Sequence, residues 1–440
     1  MKTLREQYYE KKVSASLAAK MIPDKSNLMI SMGVSMPPAL LKAIADRAVT
    51  GELTRLNAYY MHSSAHASES ILTPEVVKVI KPHSFFMSSY DRSIEKQGSD
   101  LGQRWMEYVP STFHQVGRLM TDTLGADVFI ATVSPMDIHG YFSLGTNSDY
   151  GTEVARKCGK LILEVNSSMP RVFGEALIHI SEVLCLTENN CPLLEVLPAS
   201  PQSVDELIAK QIVEMIPDGA TIQMGVGGVP NAVSKSLYDH NDLGLHTELL
   251  TPGLMRLIKN GVITGRQKTL HRLKHLFTLA LGNKELYEFM DDNPSLAGYP
   301  ASYINNPSVI SQNDNMISVN SALQVDLTGQ INAEYLRGRE FSGPGGQLDF
   351  VRGAYASRGG KSFVALHSTA KGNSVSRIVS QLDGPATDPR MDTHYVVTEY
   401  GIVNLKGLSL SERAKALIAL AHPDFRDQLG YAAKERALID

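Results

Sequence analysis

A glycine-rich turn followed by a single carboxylate is the part of this sequence best suited to chemistry. The short apolar run 221–224 leads into Gly225-Val226-Gly227-Gly228, and Pro230 stands where a helix would begin. Glycines let backbone N–H groups approach an anionic ligand, and a helix N-terminus adds a positive dipole there. A second apolar segment ends at Glu248. Donors for negative charge beside a carboxylate nucleophile predict acyl chemistry, although the same glycines could simply form a tight strand–helix turn.

Two later segments offer further donors and a cation. FSGPGGQLDFVRGA, residues 341–354, places three glycines around Pro344, and LHSTAKGNSVSRI, residues 366–378, carries Lys371. This lysine could contact the phosphate or pantetheine part of a cofactor. Each segment could equally be a solvated surface loop. Two glycine loops in one half of the chain favour a shared pocket, because one pocket often takes donors from two loops. The turn at 225–228 is not followed by the GxxG of a dinucleotide site, so hydride transfer is disfavoured.

The histidine pairs match no known metal motif. His62 and His66 have HxxxH spacing, and His271 and His275 repeat this spacing within the basic stretch RQKTLHRLKH, residues 266–275. The sequence contains neither HExxH nor CxxC, so we predict no metal site. A pocket wall is the better interpretation of the first pair, and a solvated or phosphate-facing strip is the better interpretation of the second.

Composition is that of an ordinary globular protein with more than one domain. The chain has 440 residues, of which 43% are hydrophobic, and its net charge is −4 from 42 basic and 46 acidic residues. This balance gives no reason to expect nucleic-acid or membrane-surface binding. Three cysteines fit a reducing cytosol, and neither a signal segment nor a membrane span is evident. We therefore expect a cytoplasmic protein.

An internal repeat predicts two similar domains. The pattern MGVxxxP at 32–38 recurs at 224–230, and DxxG at 137–140 recurs at 326–329. The offsets are 192 and 189 residues. Each half therefore holds a strand, a turn and a helix start, with a second strand and turn roughly 100 residues later.

The apolar runs between these motifs predict the class of fold. LMISM, DVFIATV, TIQMGV and KSFVAL are typical of strands buried on both faces of a parallel sheet, and amphipathic helical patterns lie between them. We predict two tandem similar α/β domains with mainly parallel sheets, residues 1–195 and 196–440. The proline-containing segment 197–201 is the predicted linker.

Taken together, these motifs resemble a known family. The chain is similar to the acetyl-CoA hydrolase/transferase group of class I CoA-transferases. Four motifs carry the similarity, in this order: GVGGVPNAV, HTE about twenty residues later, SGPGGQLDF and STAKG. This group includes 4-hydroxybutyrate and butyryl-CoA:acetate CoA-transferases. VSPMDIHGYFSLGTN in the N-terminal half also matches, so the resemblance covers nearly the whole chain. SMGVSMPPALLKA and YYMHSS are most similar to the itaconate CoA-transferase branch.

The resemblance implies a class I CoA-transferase fold and a role for individual residues. The family's catalytic glutamate falls on Glu248. The implied contacts to coenzyme A are Gly225, Val226, Gly227, Gly228, Val229, Asn320, Ser342, Gly345, Gly346 and Lys371. A dicarboxylic acid would need a second positive group in the acyl pocket, and the candidates for it in the N-terminal half are His62, His66, Arg92 and Arg171. Coenzyme A is the only cofactor expected, as a substrate, and we expect a homo-oligomer.

The implied reaction moves CoA from a donor such as succinyl-CoA or acetyl-CoA to a small carboxylic acid, through a glutamyl-CoA thioester. We expect the pKa of Glu248 to stay low, because neighbouring N–H donors stabilise a carboxylate. An acyl-CoA hydrolase on the same scaffold and a non-catalytic CoA-binding protein are the alternatives.

Overall fold

The apolar runs form two mainly parallel sheets, one in each of two units of the chain. The computed structural model describes residues 2–196 and 200–440. The first unit comprises Met1–Val196 with Leu276–Tyr303, and the second comprises Leu197–His275 with Ile304–Asp440. Segment 276–303 therefore packs with the first unit, whereas the sequence placed it in the second domain. Most of the predicted linker lies outside the described residues.

The first sheet has seven parallel strands in the order β7-β6-β5-β1-β2-β3-β4. The strands are β1 (Asn27–Ile30), β2 (Leu56–Tyr60), β3 (Ile80–Ser84), β4 (Glu107–Tyr108), β5 (Val128–Val133), β6 (Lys160–Val165) and β7 (Cys185–Glu188). All six residues of the central strand β5 are buried, as expected for a parallel strand covered on both faces.

The second sheet has six strands in the order β9-β8-β10-β11-β12-β13. They are β8 (Thr221–Met224), β9 (Gly244–Leu245), β10 (Met316–Ser321), β11 (Lys361–Ala365), β12 (Tyr395–Thr398) and β13 (Gly401–Asn404). Only the pairing of β12 with the edge strand β13 is antiparallel in this sheet. The predicted α/β class with mainly parallel sheets is confirmed.

Helices cover the sheets and connect successive strands. They are α1 (Leu4–Lys11), α2 (Ala15–Lys20), α3 (Pro38–Val49), α4 (Ala65–Ser68), α5 (Ser89–Asp100), α6 (Val116–Arg118), α7 (Gly151–Lys157), α8 (Ser203–Val213), α9 (Gly228–Lys235), α10 (Pro252–Lys259), α11 (Lys284–Met290), α12 (Ala301–Ile304), α13 (Pro307–Ile310), α14 (Gln347–Ala356), α15 (Leu410–Leu420) and α16 (Pro423–Glu435). Single 3-10 turns lie at Gly33–Ser35, Val76–Lys78, Phe113–Gln115 and Ile180–Glu182, and a π-helical turn lies at Leu119–Thr123.

Short strands outside the two large sheets lie at Tyr141–Ser143, Phe173–Gly174, Leu177–His179, Leu249–Leu250, His275–Phe277, Leu279–Ala280, Leu296–Gly298, Gln324–Asp326, Ile331–Asn332, Tyr335–Leu336, Arg339–Glu340, Thr369–Ala370, Val375–Ser376 and Ile378–Val379. No helix among residues 2–196 and 200–440 combines the length and apolarity that crossing a bilayer requires.

The two sheets share one strand order around their repeated motifs. In the first, β1 lies between β5 and β2; in the second, β8 lies between β10 and β9. Each of the strands β1 and β8 is followed by an MGV turn and a helix. The chain leaves β8 for β9 on one side and later returns to β10 on the other. Such a reversal of strand order creates a crevice at the carboxyl ends of the strands, where α/β proteins bind ligands.

The two DxxG motifs also fold alike. In each, the aspartate Oδ1 accepts the N–H groups two and four residues later, and the glycine N–H donates to the aspartate carbonyl. Gly140 and Gly329 have φ values of 89° and 95°, a region that favours glycine. The repeat seen in the sequence is therefore a structural repeat in these turns as well.

The Gly329 turn yields a stability prediction. A Cβ atom at this glycine would lie 2.9 Å from Arg413 Nη1 and 2.9 Å from Leu405 Cδ1. Gly407 also has a positive φ, of 81°, but has no atom within 4 Å of such a Cβ. We expect G329A to lower the free energy of unfolding by about 2–4 kcal/mol and G407A by about 1 kcal/mol. Denaturant titration measures both, and equal losses would contradict close packing at Gly329.

Candidate active site

Three of the predicted site segments meet at one edge of the second sheet. Strands β8, β9 and β10 are parallel neighbours, so their carboxyl ends lie together. The glycine turn follows β8, Glu248 comes three residues after β9, and Asn320 lies near the end of β10. The glycine turn and Glu248 therefore follow the carboxyl ends of adjacent strands at one edge of this sheet.

Two donors hold the Glu248 carboxylate. Asn305 Nδ2 donates to Glu248 Oε2 at 2.6 Å, and the Gly346 N–H donates to the same carboxylate. A Cβ atom at position 346 would lie 2.0 Å from Oε2 and 1.9 Å from Asn305 Nδ2. Glycine is therefore required where the second loop approaches the carboxylate.

Asn305 was missed by the sequence analysis, because no motif surrounds it. Its position depends on the histidine of the HTE motif. His246 is fully buried, and its Nε2 lies 2.8 Å from the carbonyl of Ile304, the residue before Asn305. Burial lowers the pKa of His246 to about 3, so the ring is neutral and Nε2 donates to that carbonyl. His246 thereby fixes the segment that delivers Asn305 to Glu248.

The expected low pKa of Glu248 is wrong. Its side chain is partly exposed, but the surrounding protein desolvates the carboxylate and raises its pKa to about 7. The negative charge of Asp349 raises the pKa further, while the bonds from Asn305 and Gly346 lower it. Two donors therefore do not offset the loss of water around this carboxylate.

The glycine turn retains unused donors. The Gly225 N–H is not among them, because it donates to the Val319 carbonyl at 2.8 Å as part of the sheet. Gly227 has a φ of 129°, and Gly228 begins α9. Among the described residues, the N–H groups of 226–229 have no backbone or side-chain acceptor, as expected in the first turn of a helix. Val226 is 72% exposed at the tip of the turn.

The other predicted cofactor contacts are more scattered. Asn320 is buried and exchanges two hydrogen bonds with Gln223, at 3.1 and 3.3 Å. Ser342 is partly buried, and its N–H donates to the Glu334 carbonyl. Lys371 is exposed at the tip of the hairpin that joins Thr369–Ala370 to Val375–Ser376. Roles for these residues remain predictions.

The basic stretch 266–275 is only partly the solvated strip that we expected. Lys268 and His275 are 4% exposed. Lys268 Nζ donates to the carbonyls of Leu245 and Lys274, at 2.8 and 2.9 Å, and burial lowers its pKa to about 7. This lysine therefore supports β9, the strand that leads to Glu248. The solvated interpretation is wrong for these two residues, because their side chains turn inward under the edge of the sheet.

In the first unit, the predicted acid-binding residues follow the carboxyl ends of β2 and β3. His62 has a φ of 44°, and its Nδ1 is buried without a hydrogen-bond partner. The charges of Asp91 and Arg92 act on His62, and burial lowers the pKa values of His62, His66 and Arg92. His62 and Arg92 therefore share one polar cluster, with His66 on the short helix α4. Among the described residues, no group of three or more metal-ligating side chains could hold a metal ion.

Comparison with known proteins supports the resemblance. The N-terminal domain model of the acetyl-CoA hydrolase/transferase family matches residues 1–217, and its C-terminal domain model matches residues 282–433. A succinyl-CoA:cyclohexane-1-carboxylate CoA transferase from Geobacter metallireducens is 38% identical over 437 residues, covering 98% of this chain and 97% of that protein.

Two solved structures extend this similarity to the fold. RipA from Yersinia pestis is 49% identical, with a TM-score of 0.97 over 100% of both chains. A 4-hydroxybutyrate CoA-transferase from Porphyromonas gingivalis is 35% identical, with a TM-score of 0.83 over 99% of this chain and 100% of that one. The resemblance found in the sequence is confirmed.

The raised pKa of Glu248 predicts how stability depends on pH. Between 4.5 and about 7, the folded protein binds a proton that the unfolded chain has lost, so the free energy of unfolding falls as pH rises through this window. E248Q removes the buried charge. We expect the free energy of unfolding of E248Q minus that of wild type to be about 2 kcal/mol larger at pH ~8 than at pH ~5. Denaturant titration at both pH values measures this difference. E435Q, at the exposed Glu435, is the control variant and is measured at the same two pH values.

Proposed function

Because the chain belongs to the acetyl-CoA hydrolase/transferase family, we propose that it transfers CoA from an acyl-CoA to a small carboxylic acid, with Glu248 as the nucleophile. The observation that carries this proposal is the Glu248 carboxylate itself. It is desolvated, held by Asn305 and Gly346, and lies at the sheet edge where the glycine turn has unused N–H groups.

The proposed reaction proceeds through two covalent intermediates. The Glu248 carboxylate attacks the thioester carbonyl, and CoA leaves as a thiolate, giving an acyl–glutamyl anhydride. The thiolate then attacks the glutamyl carbonyl, and the first acid leaves as its carboxylate. A second carboxylate attacks the resulting glutamyl-CoA thioester, and the same two steps in reverse release its CoA ester. The energy of the thioester is conserved, so no further co-substrate is needed.

Each attack creates a tetrahedral oxyanion that needs donors in place. Asn305 and the Gly346 N–H are the candidate donors beside Glu248, with the first turn of α9 as a further source. Losing one such donor typically costs roughly 10²–10³ in rate. Desolvation also makes the ionised carboxylate a stronger nucleophile, and a pKa of about 7 leaves a substantial fraction ionised at neutral pH.

The identity of the acid is a finer part of the proposal. We propose succinyl-CoA or acetyl-CoA as donor, and a short acid such as itaconate, a hydroxy acid or a fatty acid as acceptor. One named relative uses succinyl-CoA, and another is a 4-hydroxybutyrate CoA-transferase. A dicarboxylate needs a cation for its second carboxylate, and Arg92 beside His62 offers one. We also propose a cytoplasmic location, from the cysteine content, and a homo-oligomeric state, because homo-oligomers are common among enzymes of this size.

Trapping the thioester tests the nucleophile. Incubation with succinyl-CoA and then borohydride should convert Glu248 to an alcohol, a loss of one oxygen and a gain of two hydrogens in the peptide that contains it. E248D withdraws the carboxylate by one methylene and should lower kcat by about 10²-fold or more, while E435Q should leave it unchanged. Wild-type turnover without an adduct at Glu248 would overturn the proposal. Thiol release at the same rate without an acceptor acid would instead favour the hydrolase.

Arg92 gives a test of acid recognition. R92Q should raise KM for itaconate or succinate by about tenfold, because a charge-assisted hydrogen bond is lost, and should change KM for acetate or butyrate much less. The measurement is steady-state kinetics with this panel of acceptors. The exposed Arg104 supplies a matched control in R104Q. An equal change for dicarboxylates and monocarboxylates would show that Arg92 does not bind the second carboxylate.

A further inference from the structure

A pair of side chains, the buried Asp205 and the partly exposed His367, lies next to the glycine turn. Asp205 is in the first turn of α8, and its Oδ1 lies 2.7 Å from His367 Nε2. Its Oδ2 accepts the N–H of Gln202 at 2.7 Å. The Asp205 side chain is 7% exposed and that of His367 is 25% exposed. The pair joins residues 162 positions apart, one on a helix and one just beyond β11.

The Asp205 carboxylate packs directly against the turn. A Cβ atom at Gly228 would lie 2.3 Å from Asp205 Oδ2 and 2.7 Å from its Oδ1. Gly228 opens α9, so the carboxylate touches the backbone within the run of unused N–H groups at 226–229. Any shift of Asp205 therefore moves, or releases, the turn that bears these donors.

Asp205 also brings negative charge close to a helix N-terminus. A carboxylate there competes with any bound anion for the same positive field. Two side chains face it from the residues after β11: His367 donates to it, and the charged Arg377 lies within electrostatic range of both Asp205 and Glu399. Ser368 in turn donates to Glu399 through its N–H and its hydroxyl. Residues after β11 thus hold and partly neutralise the aspartate.

We propose that Asp205 and His367 are positioning residues that fix the glycine turn, so that its N–H groups point to the oxyanion site. The inference rests on the proposed function. Neither side chain touches the reacting atoms; His367 orients Asp205, and Asp205 forms the surface on which Gly228 rests. Loss of either one should loosen the turn and weaken stabilisation of the oxyanion.

Kinetics of matched variants test this pair. H367A should lower kcat by about tenfold to 10²-fold, with KM for acyl-CoA changed by about twofold at most, since binding of the ground state does not need the donors in place. H367Q should recover most of the rate, because a glutamine amide can donate to Asp205. D205A should lower kcat as much as H367A does. The kcat of the double variant should be no lower than that of the less active single variant.

Hydrogen exchange supplies a readout that does not depend on activity. Within residues 225–232, the hydrogen-bonded amides of Gly225 and Asn231 should exchange faster in H367A than in wild type. The control is H422A, which removes another histidine–aspartate pair, formed by His422 just before helix α16 and Asp424 in its first turn. H422A should alter neither kcat nor exchange of 225–232.

The outcomes separate this inference from the proposed function. Unchanged exchange of 225–232, or a lower melting temperature of H367A with unchanged kcat, would overturn the positioning role and leave the transfer reaction intact. A wild-type enzyme that forms no borohydride-reducible adduct at Glu248 would overturn the transfer reaction, while faster exchange of the turn in H367A would still support the pair as its anchor.

Discussion

The arrangement of this site depends on the desolvation of one carboxylate. Glu248 lies where protein replaces most of its water, and its pKa rises to about 7 even though two donors bind it. A buried carboxylate is tolerated only when its donors are held in place, because an unpaired charge in protein is costly. The loop at 346, the segment at 305 and the end of β9 must therefore meet within hydrogen-bonding distance.

Buried polar residues behind the site hold these backbone segments in place. His246 holds the carbonyl next to Asn305, and Lys268 holds two carbonyls beneath β9. Both have pKa values shifted by burial, which means that their charged forms cost stability. These residues fix backbone segments rather than contact a substrate. Buried polar groups of this kind lower the folding stability but fix the geometry of the site, as is common at functional sites.

The repeated fold places different residues at equivalent positions of the two units. Both sheets reverse strand order beside an MGV turn, so both create a crevice at the same topological position. In the second unit the turn continues as Gly227-Gly228, and the absence of a Cβ atom at Gly228 leaves room for Asp205. In the first unit the corresponding residues are Ser35-Met36, and the next strand leads to His62 instead of a carboxylate. One architecture thus presents different side chains at the same topological position in its two units.

The sequence by itself determined the class of fold, the repeat, the family and the segment that contains Glu248. The class of fold follows from continuous apolar runs, which are typical of buried strands. The repeat and the segment before Glu248 are marked by glycines, which are needed where the backbone turns sharply. The family follows from the resemblance of the motifs. Segment 276–303 was assigned to the wrong side of the boundary, because periodicity reveals a helix or strand but not the sheet that it joins.

Only the tertiary structure decided which residues contact the Glu248 carboxylate and how they change its pKa. Asn305 lies 57 residues from Glu248, Asp205 lies 162 residues from His367, and neither distance leaves a local signal. The pKa of Glu248 was mispredicted for the same reason: donors can be read from a glycine loop, whereas desolvation depends on every chain segment packed around the group. Likewise, Lys268 reads as a solvated charge in a basic stretch, and only the fold turns it inward beneath β9.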